Sequence, residues 1–327
     1  MVKKINLAVL GAGYWGMKIT EEYLRLSKID KAFNLIRVCD PKEENLKYCK
    51  DVLHIDSDKL CTDYEAVLKS PEVDAVHICT PNETHYRIGL DALVHGKNVL
   101  LEKPMALTVA DASELNNVAG SRRLCLQVGH IYRFNNVLKR IKELIAENYF
   151  GDLYYLKLQW TTFMKSPLNR DIIFDLGPHP VDILHFLLRK WPAKVGCTAN
   201  TYRRPALEEF ASFYLDFGEK VTANIELSWL QPGKIRQVTV IGSQRSAEVD
   251  CLRQKIRVFE NGKDTGFKVK VSENNTIFDE VHHFITSIRD ESNHKNPGSI
   301  GEGNIAVLES LKKSLREEKI VKVGLFG

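Results

Sequence analysis

Short apolar segments alternate with helical patterns over the first third of the chain. Residues 4–10 form an apolar run that stops at a glycine, which is typical of a buried parallel strand. Trp15, Ile19 and Tyr23 then recur at helical spacing. The same reading predicts strands at residues 33–39, 74–79, 98–101 and 124–128, and helices at residues 85–94 and after Thr108. This alternation predicts an α/β Rossmann domain with a doubly wound parallel sheet.

The second part of the chain consists mainly of strand-like segments. An amphipathic helix is predicted at residues 136–147, and two later helices are predicted at residues 277–289 and 304–317. The segments rich in Val, Thr, Tyr and Phe are residues 153–160, 194–201, 209–217, 220–229, 236–241 and 255–260. They predict an α+β domain with an open, mainly antiparallel sheet. We expect a first domain over residues 1–128 and a second over residues 129–327.

Composition narrows the class of protein without identifying it. The 327 residues are 44% hydrophobic and 27% charged, and the net charge of +4 arises from interleaved charges of both signs. We therefore expect a globular protein with no nucleic-acid partner. No apolar run approaches the ~20 residues of a membrane-spanning helix, and no signal peptide is recognisable. The seven cysteines are scattered without a CxxC pair, which favours thiols in a reducing cytoplasm.

A glycine-rich motif follows the first predicted strand and opens the first predicted helix. Its residues are Gly11, Ala12, Gly13, Tyr14, Trp15 and Gly16. In this context the GxGxxG spacing is the dinucleotide fingerprint. The first glycine permits a tight turn, the second lets the backbone approach a pyrophosphate, and the third lets helix and strand pack closely. The free N–H groups of the helix N-terminus would bind the phosphates.

Asp40 ends the second predicted strand, 24 residues after Gly16. A carboxylate at this position can accept hydrogen bonds from both ribose hydroxyls of NAD and repels the 2′-phosphate of NADP. We therefore expect NAD as the cofactor rather than NADP. Two observations keep alternatives open: Asp40 is also a suitable turn residue before Pro41, and Lys42 would weaken the exclusion of NADP.

Four motifs in order resemble the Gfo/Idh/MocA oxidoreductase family. The first three are the glycine loop, residues 80–85 (TPNETH) and Glu102-Lys103-Pro104. The fourth is made of two segments, residues 129–135 (GHIYRFN) and residues 175–182 (DLGPHPVD). The resemblance covers essentially the whole chain. It implies a Rossmann domain followed by an open-sheet domain that binds substrate and forms subunit contacts, in a homodimer or homotetramer.

The resemblance also implies roles for individual residues. Lys103 would lie by the nicotinamide and the reacting carbon, and the bond before Pro104 is often cis in relatives. Glu102 would approach the nicotinamide ribose. The cofactor cleft would be lined by Thr80, Pro81, Asn82 and His85. Asp175 and His179 would complete the catalytic set with Lys103.

The chemistry of these residue types agrees with those roles. Oxidation of a secondary alcohol requires a base for the hydroxyl proton while hydride passes to nicotinamide. Asp175 and His179 are four residues apart and share a face if their segment is helical. Because Pro178 and Pro180 fit only a first helical turn, His179 should lie at a helix start, where the dipole favours neutral imidazole. An ammonium at Lys103 would stabilise a developing alkoxide. Whether His179 or Lys103 takes the proton stays open.

The substrate class is also inferred from the resemblance. Residues 129–135 and 169–182 are most similar to the branch that oxidises UDP-N-acetylhexosamines at C3. That branch commonly has Glu at the position of Tyr132 and Pro at that of Asn136. Expected substrate contacts are Lys103, Arg133, Arg170, Asp171 and His179, although Arg133 suits a structural salt bridge equally.

Two alternatives remain beside a dehydrogenase of a nucleotide-linked amino sugar. One is an inositol- or glucose-type dehydrogenase acting on a free polyol. The other, from another class, is a non-catalytic NAD- or sugar-sensing regulator, because the family includes a transcriptional co-regulator of the galactose type. The histidines at 282, 283 and 294 lack metal-ligand spacing, so no metal is assigned.

Overall fold

The computed structural model describes residues 4–165, 171–203, 205, 207–263, 265–290 and 295–324. These residues form two compact units. The first unit comprises Met1–Ile131 and Asn275–Glu302, and the second comprises Tyr132–Asn274 and Gly303–Gly327. Within the described ranges, no helix combines the length and the apolar character needed to cross a membrane.

The first unit is built on a six-stranded, wholly parallel sheet in the order β3-β2-β1-β4-β5-β6. Its strands are β1 (Ile5–Leu10), β2 (Phe33–Cys39), β3 (Leu60–Cys61), β4 (Ala75–Ile78), β5 (Asn98–Leu101) and β6 (Leu126–Val128). Its helices are α1 (Tyr14–Ile29), α2 (Glu43–Asp51), α3 (Tyr64–Lys69), α4 (His85–Val94), α5 (Val109–Arg122) and, from the later segment, α9 (Thr276–Asp290). The strand order is that of a doubly wound dinucleotide-binding sheet, in which ligands bind where the order reverses, here between β1 and β4.

The segment Asn275–Glu302 belongs to the first unit, whereas the sequence placed it in the second domain. Phe284 and Ile285 of α9 are fully buried in one cluster with Ile19 and Tyr23 of α1. An ion pair between Arg289 and Asp30 (2.7 Å) supports the same packing. The chain therefore returns to complete the core of the first unit, which local patterning does not reveal.

The second unit is built on a nine-stranded mixed sheet in the order β14-β13-β12-β11-β7-β10-β9-β8-β15. All its pairs are antiparallel except β7 with β10. Its strands are β7 (Leu153–Thr161), β8 (Lys194–Asn200), β9 (Phe210–Asp216), β10 (Thr222–Ser228), β11 (Ile235–Gly242), β12 (Arg245–Asp250), β13 (Lys255–Glu260), β14 (Phe267–Val269) and β15 (Val321–Lys322). Its helices are α6 (Asn136–Ala146), α7 (Ile172–Leu176), α8 (Pro178–Leu188) and most of α10 (Gly298–Glu317). The predicted fold class is thereby confirmed.

One face of the second sheet is open within its own unit. Along β7, Leu156, Leu158 and Trp160 are fully buried, while the alternate side chains Tyr155 and Lys157 are exposed. Antiparallel sheets commonly bury one face only, and here the other face carries an exposed aromatic ring.

We predict that this open face is covered by another copy of the chain. The mass in solution, measured by light scattering over a concentration series, should be a multiple of the single-chain value of 37.3 kDa. Tyr155→Glu should lower the mass by placing a charge in the contact. A wild-type mass of 37.3 kDa at every concentration would contradict the prediction.

Candidate active site

The glycine loop between β1 and α1 has the close contacts that the motif predicts. Gly11 adopts a positive φ of 95°, and a Cβ there would lie 2.6 Å from the carbonyl oxygen of Cys79. A Cβ on Gly16 would lie 1.9 Å from the carbonyl oxygen of Gly11. A Cβ on Gly13, in contrast, would meet nothing within 4 Å. Two glycines are thus required by the fold, while the third faces open space.

Asp40 is buried at the end of β2 and holds the glycine loop. Its Oδ2 accepts a hydrogen bond from the Ala12 backbone N–H (2.7 Å), and its Oδ1 accepts one from the Lys42 N–H (2.9 Å). A carboxylate offers about four acceptor positions, so each oxygen can accept a further bond. The turn role and the ribose role that the sequence left as alternatives are therefore compatible.

Glu102 lies in a buried hydrogen-bond network below the cofactor loops. Its Oε1 accepts from Trp15 Nε1 (2.6 Å) and lies 3.5 Å from His77 Nε2, while its Oε2 accepts from the Lys103 N–H (3.3 Å). Burial raises the pKa of Glu102, but the neighbouring His77, the hydrogen bond from Trp15 and the charge of Lys103 outweigh it, so the pKa lies below its ordinary value. A Cβ on Gly129 would come within 2.9 Å of Glu102 Oε2, which explains the glycine there.

His77, Cys79 and Glu102 are the one group among the described residues whose ligand atoms lie close enough for a metal, all within 4.8 Å of one another. Their contacts indicate another use. His77 Nδ1 lies 3.2 Å from the Tyr23 hydroxyl, and Glu102 is held by Trp15. We therefore assign His77 and Glu102 to a buried polar network with Tyr23 and Trp15.

His85 connects the loops that follow β4 and β5. Its Nδ1 lies 2.7 Å from the Pro104 carbonyl oxygen, and its Nε2 lies 2.8 Å from that of Thr80. Burial lowers its pKa, although both carbonyl groups favour the charged form. With 1% of its surface exposed, His85 supports these loops from beneath and does not line an open cleft.

The remaining predicted cofactor residues of the first unit lie on the same loops. Thr80 accepts a hydrogen bond from the Thr84 hydroxyl (2.7 Å). Asn82 is largely buried, Pro81 and Tyr14 are exposed, and Lys103 is half-buried. The Lys103–Pro104 peptide bond is cis. These loops follow the carboxyl ends of β4 and β5, the edge of the sheet at which the glycine loop also lies.

In the second unit, Asp175 and His179 lie on one face of nearly continuous helix. Gly177 between α7 and α8 keeps helical dihedral angles (φ −57°, ψ −34°), and Pro178 begins α8. His179 is therefore in the first turn of α8, as the two prolines predict. Asp175 is buried and His179 is half-buried.

Two residues that the sequence did not select lie beside His179. The ring of Tyr132 packs edge-on against His179 and against Trp160, with centroids 5.1 Å apart in both pairs. Arg236 is buried, donates to the Thr161 carbonyl oxygen (2.8 Å), and is close enough to Tyr132 for the two side chains to interact electrostatically. Burial raises the pKa of Tyr132 despite that neighbouring cation. The only sequence signal for Arg236 is a basic residue at an inward position of a strand.

Arg133 forms a buried ion pair with Asp182 and not an open anion site. Its Nε donates to both carboxylate oxygens of Asp182 (2.8 and 3.0 Å), and its NH2 nitrogen lies 2.8 Å from His185 Nδ1. Both charged side chains are at most 6% exposed. This geometry favours the structural salt bridge over the substrate contact.

Asp171 also has a local role. Its Oδ1 accepts from the Phe174 N–H (3.0 Å) and so caps α7, and its Oδ2 lies 3.6 Å from Lys312 Nζ. Arg170, the other predicted substrate contact of this segment, lies outside the described residues.

Two family models match the chain. Residues 5–130 match "Oxidoreductase family, NAD-binding Rossmann fold", and residues 138–248 match the "GFO/IDH/MocA C-terminal domain".

Curated relatives include sugar and polyol dehydrogenases. The UDP-N-acetylglucosamine 3-dehydrogenase of Acidithiobacillus ferrooxidans is 26% identical over 265 residues, which cover 80% of this chain and 79% of the relative. The scyllo-inositol 2-dehydrogenase (NAD(+)) of Bacillus subtilis is 26% identical over 314 residues, covering 91% and 89%. A solved structure of the Acidithiobacillus enzyme superposes with a TM-score of 0.84 at 23% identity, over 96% of this chain and 98% of that one. At this identity the superposition shows a shared fold.

Substitution of Gly13 separates cofactor binding from folding. Gly13→Ala should weaken NADH binding about tenfold or more, because the new methyl group occupies the open space over the loop. The melting temperature of the protein without cofactor should not change. Gly120→Ala, in helix α5 and equally without near neighbours, is the matched control and should change neither NADH affinity nor fold. Fluorescence titration with NADH measures the affinity, and wild-type affinity in Gly13→Ala would contradict the assignment of the loop.

Substitution of Arg133 tests its structural role. Arg133→Met should lower the free energy of unfolding by about 3–5 kcal/mol, because it leaves a buried carboxylate without its main partner. Arg140→Met, which removes a more exposed pair with Glu143, should cost less than about 1 kcal/mol. Urea titrations followed by circular dichroism compare the two. An unchanged stability with a raised KM for substrate would restore Arg133 as a substrate contact.

Proposed function

Because the chain belongs to the Gfo/Idh/MocA family of oxidoreductases, we propose that it is an NAD(H)-dependent dehydrogenase of a secondary alcohol on a nucleotide-linked amino sugar. The observation that carries the proposal is the placement of Asp175 and His179 on one helical face beside Tyr132. A base in the second unit accompanies a nicotinamide-binding fold in the first, and alcohol oxidation needs both.

The preference for NAD rests on Asp40. Its carboxylate is fixed by the Ala12 and Lys42 N–H groups and keeps acceptor capacity for ribose hydroxyls. A 2′-phosphate at the same place would face a buried negative charge. Lys42 contributes its backbone N–H to this arrangement.

The proposed chemistry assigns one task to each residue. When bound, nicotinamide accepts the hydride from the alcohol carbon, or returns it in the reverse direction. His179, in the first turn of α8, accepts the hydroxyl proton. Asp175 stabilises the imidazolium that forms. Lys103 donates a hydrogen bond to the developing alkoxide, or takes the proton in place of His179.

The nucleotide-sugar substrate is supported by motif similarity and by the Acidithiobacillus relative. One departure from that branch has a local explanation. Asn136 begins α6 and donates its N–H to Asn274 Oδ1 (3.1 Å), whose amide in turn donates to the Phe134 carbonyl oxygen (2.8 Å). Asn136 therefore connects the start of α6, through the Asn274 side chain, to the Phe134 carbonyl oxygen. Tyr132, the other departure, contacts His179, so it would influence which substrate the proposed site accepts.

Turnover assays discriminate this proposal from its alternatives. The wild type should reduce NAD+ with UDP-N-acetylglucosamine. His179→Ala should lower kcat at least about 100-fold, the usual contribution of a general base, with NADH affinity unchanged. Lys103→Ala should lower kcat as well. His282→Ala, on the exposed side of α9, is the control and should behave as wild type.

The same assay identifies which alternative holds if the proposal fails. Turnover of inositol with no response to UDP-sugars would indicate a polyol dehydrogenase, which the Bacillus relative also represents. If the wild type turns over none of the sugars and polyols but still binds NADH, the non-catalytic regulator would be indicated.

A further inference from the structure

Two cysteines end neighbouring strands of the first unit in register. Cys39 is the last residue of β2 and Cys61 the last of β3, and the parallel pairing places them opposite each other. Neighbouring strands lie about 4.8 Å apart, and a disulfide needs Cα atoms about 4.4–6.8 Å apart. Side chains opposite each other point to the same face of the sheet. The backbone therefore already has the spacing of a disulfide.

The two thiols are neighbours, and they differ in environment. The Cys61 thiol donates to the Val38 carbonyl oxygen (3.8 Å). The neighbouring Cys39 thiol and the Arg37 guanidinium lower the pKa of Cys61 although partial burial opposes them, while the Cys61 thiol and burial raise the pKa of Cys39. Cys61 is half-buried, whereas Cys39 is 2% exposed. This is the arrangement of an attacking thiol beside a resolving thiol.

The other five cysteines, all within the described ranges, have thiol pKa values above the ordinary value, whereas the pKa of Cys61 is lowered. Burial raises the pKa of Cys49 to about 11 and those of Cys125 and Cys197 to about 12. It also raises the pKa values of Cys79 and Cys251. Cys61 is therefore the cysteine whose thiolate forms most readily.

The pair is connected to the cofactor loop through backbone hydrogen bonds. The N–H of Asp40, the next residue after Cys39, donates to the Cys61 carbonyl oxygen (3.1 Å). The Cys39 carbonyl oxygen accepts from the Gly11 N–H (2.7 Å). The Asp40 carboxylate holds Ala12. The two strand ends are thus bonded directly to the glycine loop and to Asp40.

We propose that Cys39 and Cys61 are an oxidation site, at which a peroxide converts the two thiols into a disulfide that weakens NAD(H) binding. The Cys61 thiolate attacks a peroxide oxygen, the O–O bond breaks, and a sulfenic acid and hydroxide result; the hydroxide takes up the proton that the Cys61 thiol had released and leaves as water. The Cys39 thiol then attacks that sulfur, the S–O bond breaks, and its proton leaves with the hydroxide as a second water. Hydrogen peroxide is reduced by two electrons from the thiols, and a dithiol reverses the step. The effect on NAD(H) rests on the proposed function; the disulfide does not.

The experiment treats the whole protein with stoichiometric hydrogen peroxide and maps tryptic peptides without reduction. The expected product is one peptide pair, residues 38–42 linked to residues 60–69, lighter by two hydrogen atoms than the separate peptides. It should form in the wild type and in Cys125→Ser, the matched buried control, and should be absent from Cys61→Ser and Cys39→Ser. Oxidised wild type should bind NADH about tenfold more weakly in fluorescence titration, and dithiothreitol should restore the affinity. Cys61→Ser should bind NADH equally before and after peroxide.

Several results would overturn the proposal. One is a Cys61 that proceeds to sulfinic acid with no linked peptide, which would mean that Cys39 does not reach it. Another is a linked peptide with unchanged NADH affinity, which would separate the disulfide from the cofactor loop. A reduced protein that binds no NADH would instead refute the proposed function, and the linked peptide would still decide whether the pair is an oxidation site.

Discussion

The carboxylate of Asp40 is the interaction on which the cofactor site depends. A β-strand that ends at the edge of a parallel sheet leaves the next loop without sheet hydrogen bonds, and the turn after β1 is such a loop. Asp40 supplies the missing acceptor by crossing from the end of β2 to the Ala12 N–H. The close contacts of Gly11 and Gly16 fix the rest of the turn. The one acidic side chain thereby joins the end of β2 to the glycine loop.

A second buried carboxylate, that of Glu102, joins segments that are distant in sequence. It connects Trp15 at the start of α1, His77 in β4 and the backbone of Lys103, and the missing side chain of Gly129 makes room for it. Burial alone would favour the neutral acid, so the donors around it are needed to keep it charged. The position of the half-buried Lys103 thus depends on residues that touch no reacting atom.

Much of this could be predicted from the sequence because the determining signals are local. The glycine loop, the acid at the end of β2 and the prolines at 178 and 180 each impose a backbone geometry by themselves, and strand β2 and helix α4 have the predicted bounds. The signals that failed are non-local. Helix α9 joins the first unit through packing of Phe284 and Ile285, and α10 begins at Gly298 rather than at residue 304 because its early glycines, such as Gly301 beside Met105, look unfavourable for a helix.

Strands and polar partners were missed for the same reason. Half of the residues of strand β12 are charged, and β3 and β15 contain two residues each, so only pairing with a neighbour defines them. In the sequence, Arg236 cannot be distinguished from an ordinary basic residue. Only the fold shows that it lies beside Tyr132. Arg133 was equally suited to an anion or to Asp182 until the three-dimensional arrangement supplied the carboxylate.

The most direct measurement is a pair of calorimetric titrations of the reduced protein, one with NADH and one with NADPH. If Asp40 both holds the glycine loop and accepts hydrogen bonds from the ribose hydroxyls, NADH should bind at least about tenfold more tightly than NADPH. Asp40→Ser should remove most of that difference in affinity. Equal or tighter binding of NADPH by the wild type would contradict the account of Asp40. Failure to bind either cofactor would contradict the assignment of the glycine loop itself.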